Sequence, residues 1–328
     1  MTTNILIDRT SGIPLVGSIA FGILDRGSSL IQVRPSSACN MRCTFCSTSA
    51  NDFQVHPVNY VVEPEYLLDW VKEIAVFKGK LHINIDSVGE PMAYPYLEQF
   101  IREAKKIKEV YFISMQTNGT LLTKENIKAL ADAGLNRIHL SAHSLNPTFS
   151  KQLFGSEHYS VERVLEMISI LRGSSIEVLL APVWLPNFND KDIEELIGFA
   201  KKQGIGIAIQ KYEAYTYSRK EKKAKRTTYF HFYKQLKEWE KQFGIRLVYN
   251  AASLQVFKAP TLPTVFDVGE RISLIVKAPG WMKGQMLGTA KNRCVTIVDC
   301  DSKIGDRINA EIIENKHNIY LARMVKNV

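Results

Sequence analysis

Five cysteines occur in the 328 residues, and three of them, Cys39, Cys43 and Cys46, are crowded together as C-x-x-x-C-x-x-C. Crowded thiols are poor geometry for a disulfide framework and good geometry for a metal site in a reducing compartment. Thiolates at spacings of four and three can hold three irons of a cubane and leave the fourth iron open, unlike an electron-transfer cluster held by four cysteines. The competing chemistry is a structural zinc. Tetrahedral zinc takes four ligands, and the nearest extra one, His56, stands ten residues beyond Cys46.

Apolar strand-like stretches alternate with helical ones over most of the chain, and that rhythm must position the thiols. SLIQV runs into the cysteine loop, and PEYLLDWVKEIAVF then spaces its apolar residues for an amphipathic helix. LHINID, VYFISM, IHLSA, IEVLLAP and IGIAIQ read as five further strands. The helices between them run from Tyr94 to about Lys108, from TKENIKALADAG with Gly134 as its stop, and through VERVLEMISILRG and DKDIEELIGFAKKQG. Such alternation calls for a parallel sheet covered by helices, with the chemistry on loops at the carboxyl ends of the strands. Six β/α units predict an incomplete barrel over residues 29–212. Residues 1–28 are expected to lie against it.

A formal charge of +9 points to a polyanionic partner, nucleic acid before membrane surface. Residues 219–241 concentrate that charge: nine basic and three acidic side chains surround Tyr229, Phe230, Phe232, Tyr233 and Trp239. This stretch is read as a basic helix within a linking region, 213–263. Its aromatics either stack unpaired bases or form the helix's core face. From residue 264 to 328 the texture becomes short strands broken by Gly, the spacing of a small all-β barrel. No apolar run approaches the length of a bilayer span, and the N-terminus lacks a basic region followed by an apolar core. A cytoplasmic protein without membrane insertion is expected.

CNMRCTFC, with an aromatic before its third cysteine, together with motifs at the later strand ends, resembles the radical S-adenosylmethionine (radical SAM) superfamily over roughly Leu30 to Tyr212. The resemblance implies a [4Fe-4S] cluster on Cys39, Cys43 and Cys46 whose open iron is chelated by the amine and carboxylate of S-adenosylmethionine. It also implies an external electron donor such as ferredoxin or flavodoxin, and reductive cleavage to a 5′-deoxyadenosyl radical, with the cofactor supplying the hard chemistry. Phe45 would pack on the adenine, or merely fill the loop. Gly89, Glu90 and Pro91 in DSVGEPMAYP look like the motif that accepts hydrogen bonds from the methionyl ammonium, although Val88 stands where relatives often have a glycine. Ser114, Gln116 and Asn118 in SMQTNGT, with Ser141 and His143 in HLSAHS, resemble segments that touch the methionyl carboxylate and ribose. His143 is equally readable as a satisfied loop histidine. Pro182, Trp184 and Pro186 would stiffen a loop near the adenine, and Gln210 and Tyr212 would face the substrate.

The last segment resembles a TRAM domain, an oligonucleotide-binding type barrel attached to several RNA-modifying enzymes, in VGERISLIV, PGWMKGQMLG and IGDRINAEIIENKHNIYLA. It implies RNA contacts from Trp281, Lys283, Arg293, Arg307, Lys316 and His317, with packing as the alternative for Trp281. Lys222, Lys223, Lys225 and Arg226 of the basic stretch would join them on phosphates. Two substrate classes follow: a tRNA or rRNA nucleotide, or a peptide, lipid or small metabolite with the terminal barrel serving assembly. Cys294 and Cys300 are too few for a second cubane and read as core residues of the barrel.

Overall fold

The computed structural model describes residues 3–325. Along the chain, β1 (Thr3–Ile7), β2 (Gly22–Asp25), β3 (Leu30–Arg34) and β4 (Val58–Val62) precede α1 (Pro64–Lys78), β5 (Leu81–Ile85) and α2 (Leu97–Lys105). Then come β6 (Val110–Thr117), α3 (Lys124–Ala133), β7 (Arg137–Leu140), α4 (Pro147–Phe154) and α5 (Val161–Arg172). β8 (Glu177–Leu180), β9 (Val183–Trp184), α6 (Asp190–Gln203), β10 (Gly206–Ile207), β11 (Gln210–Lys211) and α7 (Tyr229–Phe243) complete the β/α part. The chain ends in β12 (Arg271–Pro279), β13 (Met286–Ala290), β14 (Arg293–Val298), β15 (Arg307–Glu314) and β16 (Leu321–Met324).

Local chemistry explains the helix ends. Glu63 caps α1 by accepting from the Tyr66 amide, Pro64 opens it, and Gly79 closes it in the left-handed conformation. Thr123 and Asn126 form a reciprocal capping box on α3. The strand order of the main sheet is β10-β8-β7-β6-β5-β3-β2, antiparallel where β2 meets β3. The strands that run parallel, β3 with β5 and β6-β7-β8-β10, bear mostly buried side chains, as a sheet covered on both faces requires. This is the partial barrel expected from the alternation. The sixth strand differs from expectation: IGIAIQ divides, its first half pairing with β8 and its second, β11, with β9 in a separate two-stranded ladder. Pro182 stands between β8 and β9 and has no amide hydrogen to continue the ladder. Three strands, β1, β2 and β4, and the helix α4 carried no clear periodic signal in the sequence.

The chain divides into two compact units: Met1–Cys39 with Asn51–Phe112 and Val256–Val328, and Asn40–Ala50 with Ile113–Gln255. The first therefore unites both ends of the chain. Its five C-terminal strands close into a barrel in the order β12-β13-β14-β16-β15, with β14 and β16 parallel and the other pairs antiparallel, around Phe266, Leu274, Val276, Val295, Ile297, Ile312 and Tyr320. This is the small all-β barrel expected from the Gly-broken strands. The N-terminal residues lie on it: the Cys294 amide donates to Val16 O at 2.8 Å and the Tyr320 amide to Gly17 O at 3.1 Å. A Cβ on Gly17 would sit 1.8 Å from Cys294 O, so only glycine permits that approach. Tyr60 Oη donates to Pro279 O at 2.7 Å from the β4 side.

The basic stretch is helical only in its second part. Thr228 accepts from the His231 amide and starts α7 there, so Lys222, Lys223, Lys225 and Arg226 occupy the loop before the helix rather than the helix itself. Phe232, Leu236 and Trp239 form the buried face, whereas Tyr229, Phe230 and Tyr233 are exposed.

Candidate functional site: the cysteine loop and the strand ends around it

In the first unit, the segment before Cys39 is held against β4. The Ser37 amide donates to Tyr60 O at 3.1 Å, and Ser37 Oγ accepts from the Tyr60 amide at 2.8 Å. Glu90 follows β5 and its amide donates to Ala38 O at 2.8 Å, the residue preceding Cys39. Gly89 is required by that approach, since a Cβ would fall 2.0 Å from Ala38 O. Val88 beside it is buried. The Glu90 carboxylate is buried and accepts from the Met92 amide at 2.9 Å, capping a short turn that Pro91 opens.

In the second unit, Cys43 and Cys46 are half-buried. The loop that carries them hangs on the end of α4, with the Arg42 amide donating to Phe154 O at 3.1 Å and the Thr44 amide to Leu153 O at 3.0 Å. Phe45 is buried with Leu153, Leu185 and Tyr212 and meets the His143 ring edge-on at 4.8 Å. His143 Nδ1 accepts from the Val183 amide at 3.0 Å, which places the ring hydrogen on Nε2. Burial pushes its pKa down to about 3, so the imidazole is neutral in the native protein near neutrality. Asn118 Nδ2 donates to Asn40 Oδ1 at 2.9 Å, tying the end of β6 to the start of the cysteine loop. Ser114 is buried, Ser141 donates its amide to Thr117 O at 2.8 Å, and Gln210 Nε2 approaches Gln116 Oε1 at 3.5 Å.

Pro182, Trp184 and Pro186 are buried. Trp184 Nε1 donates to Asp190 at 2.8 Å, and its ring packs against Phe232 and Trp239, so this indole is committed to the core of the unit. Tyr212 Oη accepts from the Glu221 amide at 3.2 Å, anchoring the basic loop. Two residues here gave no signal in the sequence. Asn189 bonds the Leu185 amide and the carbonyls of Val183 and His143, and so sets the course of the loop after β8. Arg219, one cation among many in its stretch, donates to carbonyls of the cysteine loop.

The residues implied for RNA separate into two sets. Lys283, Arg307 and Lys316 are exposed, as are Lys222, Lys223, Lys225 and Arg226, while His317 is half-buried. Trp281 is buried and stacks on His56 with ring centroids 3.7 Å apart, which removes it as a base platform and His56 as a zinc ligand. Arg293 is buried too, its guanidinium spent on Asn292 O and Pro263 O. Cys300 joins the barrel core, whereas Cys294 is buried on the other face of β14, near Tyr60 and Tyr66, and burial pushes its thiol up to about 12.

None of the five cysteines is in a disulfide. Among the described residues no three His, Cys, Asp or Glu side chains converge as one metal ion demands. A cubane attaches each thiolate to a different iron, and three thiolates are the donor set that leaves one iron open. Thr44 Oγ1, between two of the thiols, is buried without a partner, a donor suited to an anionic cluster's sulfur. A family model, the radical SAM superfamily, matches residues 33–200. The chain belongs to the radical SAM superfamily. The cofactors of this radical SAM protein are accordingly a [4Fe-4S] cluster and S-adenosylmethionine, and its chemistry needs an electron donor.

An uncharacterized protein of Methanocaldococcus jannaschii, MJ0103, is 34% identical over 95% of this chain and 79% of its own length. The GTP 3′,8-cyclase of Aquifex aeolicus is 31% identical over 58% of each chain, so the match spans little more than half of that enzyme. Among solved structures, Streptococcus suis SuiB bound to S-adenosylmethionine superposes with a TM-score of 0.51 at 17% identity, covering 74% of this chain and 52% of that one. Polyhistidine-tagged anSMEcpe with bound AdoMet gives 0.51 at 16% identity over 79% and 71%. These two establish the fold. No helix among the described residues is long and apolar enough to cross a membrane.

Proposed function

We propose that this radical SAM enzyme acts on an RNA nucleotide in a tRNA or rRNA, the cysteine triad and strand ends holding the cofactors and the basic segment holding the RNA. One observation carries the reading. On one continuous stretch, exposed Tyr215 and Tyr217 before, and Tyr229, Phe230 and Tyr233 after, flank the exposed cations Lys220, Lys222, Lys223, Lys225 and Arg226. Exposed aromatics cost solvation unless something covers them, and a run of cations between them selects a polyanion whose bases can stack. The terminal barrel supports the same reading. It is read as TRAM-like, and beside β12 lies a concavity of about 410 Å³ whose lining includes Arg271, Lys291 and Arg307 together with Glu270, which pairs with Lys291, so Arg307 is its candidate phosphate contact.

When bound, the cluster and S-adenosylmethionine supply a 5′-deoxyadenosyl radical that removes a hydrogen atom from the substrate. The protein's residues do the rest. Cys39, Cys43 and Cys46 hold the cluster, and buried Glu90, Ser114, Asn118 and the half-buried Ser141 offer the methionyl and ribose groups their polar partners. Phe45, backed by neutral His143, presents an apolar wall to the adenine. Neutrality matters, because a charged imidazole behind Phe45 would draw water into the site. Gln116 and Gln210 face the substrate from two strand ends.

A free guanine nucleotide is the second reading, favoured by the likeness to GTP 3′,8-cyclases. One experiment separates the two. The reconstituted, reduced enzyme is incubated with S-adenosylmethionine and either tRNA and rRNA fragments or GTP. RNA-dependent formation of 5′-deoxyadenosine with a mass shift in one digested nucleoside supports the RNA reading. The same response to GTP alone overturns it.

A further inference from the structure

The loop bearing Cys43 and Cys46 makes few bonds of its own. The Cys46 amide donates to Cys43 O at 3.2 Å and the Ser49 amide to Cys46 O at 3.3 Å, with Ser49 at a positive φ of 53°. Further ties come from Tyr217–Arg219, far downstream. The Arg219 amide donates to Cys46 O at 3.0 Å, Nη1 donates to Cys43 O at 3.1 Å, and Nη2 donates to Ala50 O. Ser49 Oγ in turn donates to Tyr217 O at 2.5 Å. Two of the accepting carbonyls belong to the thiol-bearing residues themselves.

Charge makes this clamp more than a strut. All the Arg219 hydrogen bonds go to neutral carbonyls, no carboxylate among the described residues pairs with it, and its Nε is buried without a partner. A guanidinium cannot lose its proton in a protein. An uncompensated cation therefore stands beside two ligands of a cluster that becomes more negative on reduction.

We propose that Arg219 is a positioning residue that fixes the Cys43–Ala50 loop and, through its charge, favours the one-electron reduction of the cluster by the external donor. The electron comes from that donor and stays on the cluster; Arg219 exchanges neither electron nor proton.

The test uses the full-length chain after anaerobic reconstitution, as wild type, Arg219→Gln and Arg219→Lys. Cluster potential is read by spin resonance during dithionite titration, and loop integrity by the rate at which a chelator extracts iron. Arg219→Gln should lower the equilibrium constant for reduction about tenfold, the scale of one partly screened charge, which for one electron is about 59 mV. It should also release iron faster. Arg219→Lys should restore the potential to within about twofold but still release iron faster, since one ammonium does not reproduce the planar fork. A wild-type potential in Arg219→Gln overturns the electrostatic part. If that variant assembles no cluster, Arg219→Lys decides alone: wild-type resistance to the chelator in it overturns the clamp.

Discussion

Replacing Lys222, Lys223, Lys225 and Arg226 together with Gln should change how salt weakens RNA binding more than it changes anything else. All four are exposed in the loop before α7, so neutralising them removes charge without disturbing a buried partner. Each phosphate contact adds about 0.7 (single strand) to 0.9 (duplex) to the slope of log affinity against log salt, so four contacts add roughly 2.8 to 3.6. Over a fourfold rise from about 50 to 200 mM salt, the wild type should therefore lose roughly 50- to 150-fold more affinity than the variant. Lys223 sets the floor. Its Nζ lies 5.9 Å from the centroid of Phe188, and if it keeps that ring contact, three phosphates remain and the slope difference is about 2. Fluorescence anisotropy of an unmodified tRNA transcript at several salt concentrations measures it. Tyr215→Ala with Phe230→Ala provides the contrast, costing about 1–3 kcal/mol per stacked base with little change in slope. An unaltered slope in the quadruple variant would refute the assignment of this loop to phosphates.

Cys43→Ala should bind little iron after reconstitution and lose reductive cleavage of S-adenosylmethionine, whereas Cys300→Ala, altered inside the barrel, should keep about four irons per chain; about eight irons in the wild type would contradict a single cluster. Glu90→Gln should weaken S-adenosylmethionine binding by about 1–3 kcal/mol in equilibrium titration while cluster content stays normal; unchanged affinity would place the ammonium elsewhere. His143 should make the fold acid-sensitive. Its native pKa is pushed down to about 3 from an ordinary 6.5, so the unfolded chain binds the proton first, and stability present above 6.5 is lost as pH falls toward 3. The loss approaches about 1.4 kcal/mol per pH unit in that window. Denaturant melts of His143→Asn should show a flatter dependence there, and an identical pH profile would remove His143 as the cause.

The partial barrel was legible because strands buried on both faces and amphipathic helices leave different periods in the sequence. The cysteine spacing and Gly89-Glu90 stand out in the sequence because the chemistry expected of them fixes residue types and spacing, and Gly89 has a local reason too, the close approach of Ala38 O. Trp184 and Trp281 show the limit. An indole in a loop reads alike whether it covers a ligand or packs, and only tertiary partners decide: Asp190 and Trp239 for one, His56 for the other. Charge density located the basic stretch but not its architecture. Thr228 was the available signal for where the helix begins, hidden in the pair Thr227-Thr228. Arg219 was invisible for a related reason: side-chain identity says nothing about which of nine neighbouring cations turns inward to carbonyls as far as 176 residues away. The strands β1 and β2 are short and irregularly patterned, their pairing decided by partners distant in sequence.

The joining of the chain's two ends has a consequence for birth on the ribosome. Residues 113–255, the bulk of the second unit, emerge as one block and can close early. The first unit cannot: the Cys294 and Tyr320 amides that donate to Val16 O and Gly17 O are translated after residues 113–255. Until then the segment around Val16 and Gly17 lacks these two partners in the nascent chain, although Ile23 already has Val33 beside it and Phe21 has Tyr60. Vectorial synthesis thus closes the first unit after the second, and a message cut short before codon 294 would yield a chain whose first unit stays open and aggregation-prone.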